Sequence, residues 1–275
     1  MKMKKILWAL LSVLLVSGML ALTACGGGGD GTDDKDPGTK DPGITDDTDD
    51  TDEEEAITTF TVTFETGCGI NPDGTEDLVV KEGETVPRVD EEKFLEATKE
   101  VKAGFYFDGW YSDKEFTKRW NFKTDKVEND LALTANWLLA TDGLSYTFVT
   151  DHYEITNKGS ADFSSNNCII PGYFDDGSNG YHPVTTLGNN VFQDESDIIY
   201  VYLPPTIENI GLLTFANCSL EIVYCRAIEP PNGTSSMFNG FTEEEGHIIY
   251  IPNGSFNLYA YNSIWTNYYQ FLKEY

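Results

Sequence analysis

The chain has 275 residues, of which 46 are acidic and 18 are lysine or arginine, for a formal net charge of −28. Such an excess works against nucleic acid, whose phosphates call for a basic face, and against the anionic surface of a membrane, which attracts polybasic segments. With 40% hydrophobic and 13% aromatic residues the chain nevertheless has material for a core.

Lys2, Lys4 and Lys5 precede an apolar run from about Ile6 to Ala21 that ends in Leu22-Thr23-Ala24-Cys25. A basic start, an apolar centre and small residues before a cleavage point define an export leader rather than a folded helix. The run is also short of the ~20 residues that a membrane span needs. Its ending is similar to the lipobox of bacterial lipoproteins. That resemblance implies removal of residues 1–24, lipid on Cys25, and an extracytoplasmic protein anchored to the cell membrane and exposed at the surface. A single acyl chain binds marginally at ~0.8 kcal/mol per buried methylene, so durable attachment implies more than one.

Residues 25–56 read as a lipidated cysteine followed by a disordered acidic tether. The segment after Cys25 holds thirteen acidic and two basic residues, and Ile44 is its one aliphatic residue before Ala56. Such a composition cannot bury enough apolar surface to fold, and its like charges extend it. At ~3.3 Å per residue its reach is at most ~100 Å. The acidic run lacks the ligand spacing of a preformed calcium loop, so no metal is expected here. Of the remaining cysteines, Cys68, Cys168, Cys218 and Cys225 show no Cys-x-x-Cys spacing. Cys218 and Cys225 are near enough in sequence to pair in an oxidising compartment, but three of the four fall at apolar positions and read as free thiols packed as small hydrophobes.

Residues 57–138 change character. Phe60, Val62 and Phe64 alternate with threonines as in a half-buried strand, and Leu78-Val79-Val80 gives a second. Asp90 is placed to cap a helix running to Val101, with Glu91 and Glu92 in its first turn, Lys99 and Lys102 at its end and Gly104 as its stop. Phe94, Leu95, Ala97 and Val101 form its expected buried stripe. Leu131, Leu133, Ala135 and Trp137 alternate through a last strand, giving a small α+β unit. The motifs Val62-Thr63-Phe64-Glu65, Gly83-Glu84-Thr85-Val86-Pro87, Gly104-Phe105-Tyr106-Phe107-Asp108-Gly109-Trp110-Tyr111, Trp120-Asn121-Phe122 and Leu133-Thr134-Ala135-Asn136-Trp137 resemble an internalin-type B-repeat. This family is also called the Listeria-Bacteroides repeat, and the resemblance implies a β-grasp-like extracellular module. Trp110 and Trp137 fit core positions better than sugar-stacking ones.

Residues 139–275 are repetitive. Thr186-Leu187-Gly188-Asn189-Asn190-Val191-Phe192 matches Asn209-Ile210-Gly211-Leu212-Leu213-Thr214-Phe215 at an offset of 23, a period that signals stacked repeats. Strands are expected at residues 168–171, 198–204, 220–225 and 248–252. These segments resemble the BspA-like leucine-rich repeats of bacterial surface proteins, with Val191 and Thr214 standing where that family has alanine. The resemblance implies a short leucine-rich-repeat β-solenoid after the β-grasp-like domain. If Val201, Leu203, Val223, Cys225, Ile249 and Ile251 point inward, then Ile169, Tyr202, Tyr224 and Tyr250 form a column on the opposite face, ~4.8 Å apart, flanked by Tyr200 and Ile222. Tyrosine offers amphipathic contact area at small entropic cost, so Tyr200, Tyr202, Ile222, Tyr224 and Tyr250 are the candidate ligand-binding residues. Alternatively, these rings serve only to stabilise the sheet, or a neighbouring module covers them.

Catalytic patterns are absent from the sequence. His152, His182 and His247 lie outside any His-Glu-x-x-His arrangement, and neither a Gly-x-Ser-x-Gly elbow nor a phosphate loop occurs. Asp151-His152 could form half of a catalytic triad, but adjacent residues on a strand face opposite ways, so the pair reads as part of a surface loop. The segment 175–180, Asp-Asp-Gly-Ser-Asn-Gly, reads as a turn rather than a cation loop. The expectation is a non-enzymatic surface lipoprotein without cofactor, metal or nucleic-acid partner, binding an extracellular protein or glycan through its repeat face. The alternative is an accessory envelope subunit that spaces other surface proteins.

Overall fold

A computed structural model describes residues 57–76, 78–242 and 246–275. The leader, Cys25 and the acidic tether lie outside the described residues, and so do the expectations placed on them.

The first half is a sheet covered by one helix. Strands β1 (Thr59–Glu65), β2 (Leu78–Lys81), β3 (Phe105–Tyr111) and β4 (Leu131–Leu139) lie in the order β2-β1-β4-β3. β1 runs parallel to β4, and the other pairs are antiparallel. Alternation in β1 buries Val62 and Phe64 and leaves the threonines out. Helix α1 (Glu91–Lys102) starts where Asp90 accepts a hydrogen bond from the Lys93 amide at 3.1 Å. Its buried side chains are Phe94, Leu95 and Thr98, whereas Ala97 and Val101 are exposed, which corrects the expected stripe. The burial of Thr98 is made tolerable by its hydroxyl, which donates to the Phe94 and Leu95 carbonyls at 3.0 and 3.2 Å. Phe94 meets Phe107, Trp110 and Trp137 with ring centroids 5.5, 5.3 and 5.7 Å apart. Both tryptophans therefore belong to the core.

The second half is a β domain of repeating parallel strands. A hairpin of β5 (Ser145–Val149) and β6 (His152–Asn157) is followed by β7 (Asn167–Ile169), β8 (Tyr173–Phe174), β9 (His182–Leu187), β10 (Tyr200–Leu203), β11 (Asn209–Ile210), β12 (Ile222–Cys225) and β13 (Ile248–Ile251). A short helix α2 (Phe256–Ala260), a 3-10 helix at Trp265–Phe271 and β14 (Leu272–Glu274) complete it. One sheet has the order β14-β13-β12-β10-β7, parallel throughout. The other has the order β11-β9-β6-β5, with β8 paired to β9.

Between the sheets the repeats align like residue on like residue. Phe192, Phe215 and Phe238 stack with centroids 5.2 and 5.6 Å apart, both at 19°. Thr214 is fully buried, and its hydroxyl donates to the Gly211 and Gly188 carbonyls at 2.8 and 3.0 Å. A threonine thus joins one repeat to the preceding one at a position where alanine would only fill space. At Gly211 a Cβ would fall 2.5 Å from the Gly188 carbonyl carbon, so successive turns approach at glycine-to-glycine distance. Cys68, Cys168, Cys218 and Cys225 are free thiols. Burial pushes the Cys168 thiol well up and that of Cys218 up to about 12.

The two halves belong to one compact unit. Backbone bonds cross between them: Gly172 donates to Phe105 at 3.1 Å and Gly104 to Tyr173 at 2.8 Å. The Tyr173 ring belongs to the core of the first half, and its hydroxyl donates to Glu96 at 2.8 Å.

Candidate functional site

Alternation along β10, β12 and β13 buries Val201, Leu203, Val223, Cys225, Ile249 and Ile251 completely. It therefore sets Tyr200, Tyr202, Ile222, Tyr224 and Tyr250 on the other face, each half-buried. The parallel register places Tyr202 beside Tyr224 and Tyr224 beside Tyr250. Their rings stack with centroids 4.8 and 5.3 Å apart, at 14° and 13°. Ile169 precedes this row and Lys273 follows it. Tyr200 pairs with Asn167 and Ile222 in a second row.

The column is not wholly free. Tyr106 of β3 packs edge-on against Tyr202 at 5.5 Å and is itself fully buried. Of the two alternatives to ligand binding, cover by the neighbouring module therefore applies at Tyr202. Burial, and then the neighbouring Tyr224, push the Tyr202 hydroxyl up to about 12. Burial, and then Tyr250, also raise the Tyr224 hydroxyl.

Beside the column lies a charged junction that hydrophobic patterning does not reveal. Arg226, the residue after β12, is only 4% exposed and pairs with Glu91 of α1. Its Nη1 donates to the Asp108 carbonyl at 2.6 Å, and its guanidinium lies 5.2 Å from the Phe107 ring centre. Burial is the largest single influence on the Arg226 charge and opposes it, but the Glu91 carboxylate together with the neighbouring Tyr275 and Tyr106 more than offsets it and raises the pKa. The Asp108 carboxylate accepts from the Tyr111 hydroxyl and from Asn136 at 3.1 Å, and Arg119 Nη2 stands 3.7 Å away. Arg119 in turn lies over the Tyr275 ring at 4.4 Å. A basic residue directly after an apolar strand was the only sequence signal for Arg226.

The remaining sequence candidates are local structures. Asp151 and His152 meet at 3.0 Å at the end of the β5–β6 hairpin, where Asp151 lies in the turn and His152 opens β6. Asp151, and with it Glu154, raises the His152 pKa. Asp176 accepts from the amides of Ser178 and Asn179 at 2.8 and 2.9 Å, and those amides, Asn179 foremost, hold its carboxyl down to about 2. Residues 175–180 are thus a turn closed by aspartate. Among the described residues no cluster of three or more His, Cys, Asp or Glu side chains is arranged to hold a metal, and no helix is long and apolar enough to cross a membrane.

With this geometry in place, comparison with known proteins gives two findings. Residues 60–136 match the Listeria-Bacteroides repeat domain, and this span coincides with the helix-covered sheet. A protein of Evansella cellulosilytica carrying the name Gly-rich membrane protein is 32% identical over 90 residues. That alignment covers 33% of this chain and 9% of the relative, so the chain spans a small part of that protein's length.

Proposed function

We propose that this is a surface lipoprotein, anchored through Cys25, that recognises an extracellular protein or glycan without catalysis. In this reading the second half is a short leucine-rich-repeat solenoid of the BspA-like kind. The match to the Listeria-Bacteroides repeat supports a surface or membrane-associated setting, as does the membrane-protein name of the Evansella relative. The observation that carries the reading is the stacked row Tyr202, Tyr224 and Tyr250, flanked by Tyr200 and Ile222 on a rigid parallel sheet. Aromatic side chains held by packing lose little freedom when a partner binds. Arrays of glycans and matrix proteins probed with the full-length chain test it. Replacing Tyr224 and Tyr250 by Ser is expected to abolish capture by a chain that still folds, as circular dichroism would check; undiminished capture rejects the face.

A second reading has its own support. Because Tyr106 covers Tyr202, part of the face serves internal assembly, as fits an accessory subunit that positions other envelope proteins. Cross-linking in intact cells that yields envelope partners, with arrays silent, would favour this alternative.

A further inference from the structure

A cavity of about 530 Å³ opens between the two halves, within the ~300–1,000 Å³ range of sites for small organic ligands. Its walls include Trp110, Trp120, Arg119, Arg226 and Tyr275. These same residues carry buried polar atoms without a hydrogen-bond partner among the described residues: both indole Nε1 atoms, Arg119 Nη2, Arg226 Nε and the Tyr275 hydroxyl. Arg119 Nη2 has only the long ion pair to Asp108 at 3.7 Å. Indole and guanidinium N–H groups can only donate, and buried donors left unmatched are costly. The wall therefore calls for a ligand rich in acceptor oxygens.

Charge points the same way. Arg88, Arg119, Lys123 and Arg226 line the cavity, against Glu91, which Arg226 already engages, and Asp108, whose carboxylate stands 3.7 Å from Arg119. This is a cationic recess in a chain of net charge −28, and a concave site concentrates such a field. Gly109 fixes the spacing of the two inner arginines. At its φ of +129° a Cβ would lie 2.7 Å from Arg119 Nη2 and 3.2 Å from Arg226 Nη1, so only glycine lets both guanidinium groups converge there. Two convergent guanidinium groups suit a carboxylate, whereas the indole and phenol donors, set among flat rings, suit the hydroxyls and C–H face of a sugar. A peptide would bring its own N–H donors to a wall whose unmatched atoms are chiefly donors.

We propose that this cavity binds a carboxylated sugar, a hexuronate, with its carboxylate between Arg119 and Arg226 and its hydroxyls accepting from Trp120 and Tyr275. The site is separate from the tyrosine column and stands whether or not that face has a ligand. Calorimetric titration of the full-length chain with glucuronate and galacturonate tests it, with glucose as the neutral sugar and sulfate as the bare anion. A uronate is expected to bind saturably, at least about tenfold tighter than glucose or sulfate. Arg119→Gln should weaken it by about tenfold or more, and Trp120→Phe, which keeps a ring and removes the N–H, by several-fold. Replacing Tyr200 and Ile222 by Ser should leave it unchanged. Absence of uronate binding, sulfate binding as well as the uronates (an adventitious ion only), or full affinity in a folded Trp120→Phe protein would each overturn the assignment.

Discussion

Gly109 shows how much one missing side chain can position. Its φ of +129° lies where side-chain-bearing residues are strained, and its open Cα face admits Arg119 and Arg226. Gly109→Ala should cost about 1–3 kcal/mol from backbone strain alone, and displacing the arginines adds to that. Denaturant melts would read the loss; a stability equal to that of the unaltered chain would mean that the arginines shift freely. Arg226→Met keeps the apolar stem but strands Glu91 beside buried surface. Removing one partner of a buried pair costs ~3–5 kcal/mol, and the 19% exposure of Glu91 puts the expectation at the low end. His152 belongs to this scale too. Its folded pKa is raised above the ~6.5 of free imidazole. Its stabilising effect is therefore complete below that value and fades as pH rises through the folded one. Histidine NMR should show the late titration, and His152→Gln should be relatively more harmful at pH ~5 than at pH ~8.

At the scale of elements, stability comes from repeats that each bury one phenylalanine against the next. Phe215 lies between Phe192 and Phe238 and is 1% exposed. Phe215→Ala should cost ~3–5 kcal/mol, as measured by chemical denaturation, and a loss below ~1 kcal/mol would show that the stack closes over the gap. Strands β10, β12 and β13 were legible because alternating apolar residues recur there in register, and β1 and β4 because threonine or asparagine alternates with large apolar side chains. The helix was legible from Asp90 and the acidic first turn, but its buried face was misjudged. Thr98 is polar by type, yet it is sealed by bonding back to its own helix, and Val101 is apolar yet lies beyond the reach of the sheet. Strands of two or three residues such as β11 and β14 exist only because a neighbour supplies their hydrogen bonds, so no local pattern announces them.

At the scale of the whole molecule, the halves share structure rather than merely touching. Tyr173 from the second half sits in the core of the first, and backbone hydrogen bonds tie Phe105 and Gly104 to the segment around it. Thermal unfolding from residue 57 onward should therefore be one cooperative transition, with calorimetric and van't Hoff enthalpies equal. Two resolved transitions would show that the halves unfold independently. The tyrosine row was legible from strand alternation, whereas its partial cover by Tyr106 was not. Nor was the arginine junction: the Arg226 to Asp108 bond spans 118 positions, and pairing at such separation leaves no periodic trace.

The connector between the halves has an effect of its own. Thr141 takes up both backbone groups of Ile169: its amide donates to the Ile169 carbonyl at 3.0 Å, and its hydroxyl accepts the Ile169 amide at 2.9 Å. β7 is a margin of the five-stranded parallel sheet, and a bare margin is a template on which a second molecule can polymerise. By occupying Ile169 at that margin with its own linker, the protein leaves β7 less open to pairing with a strand from a second molecule.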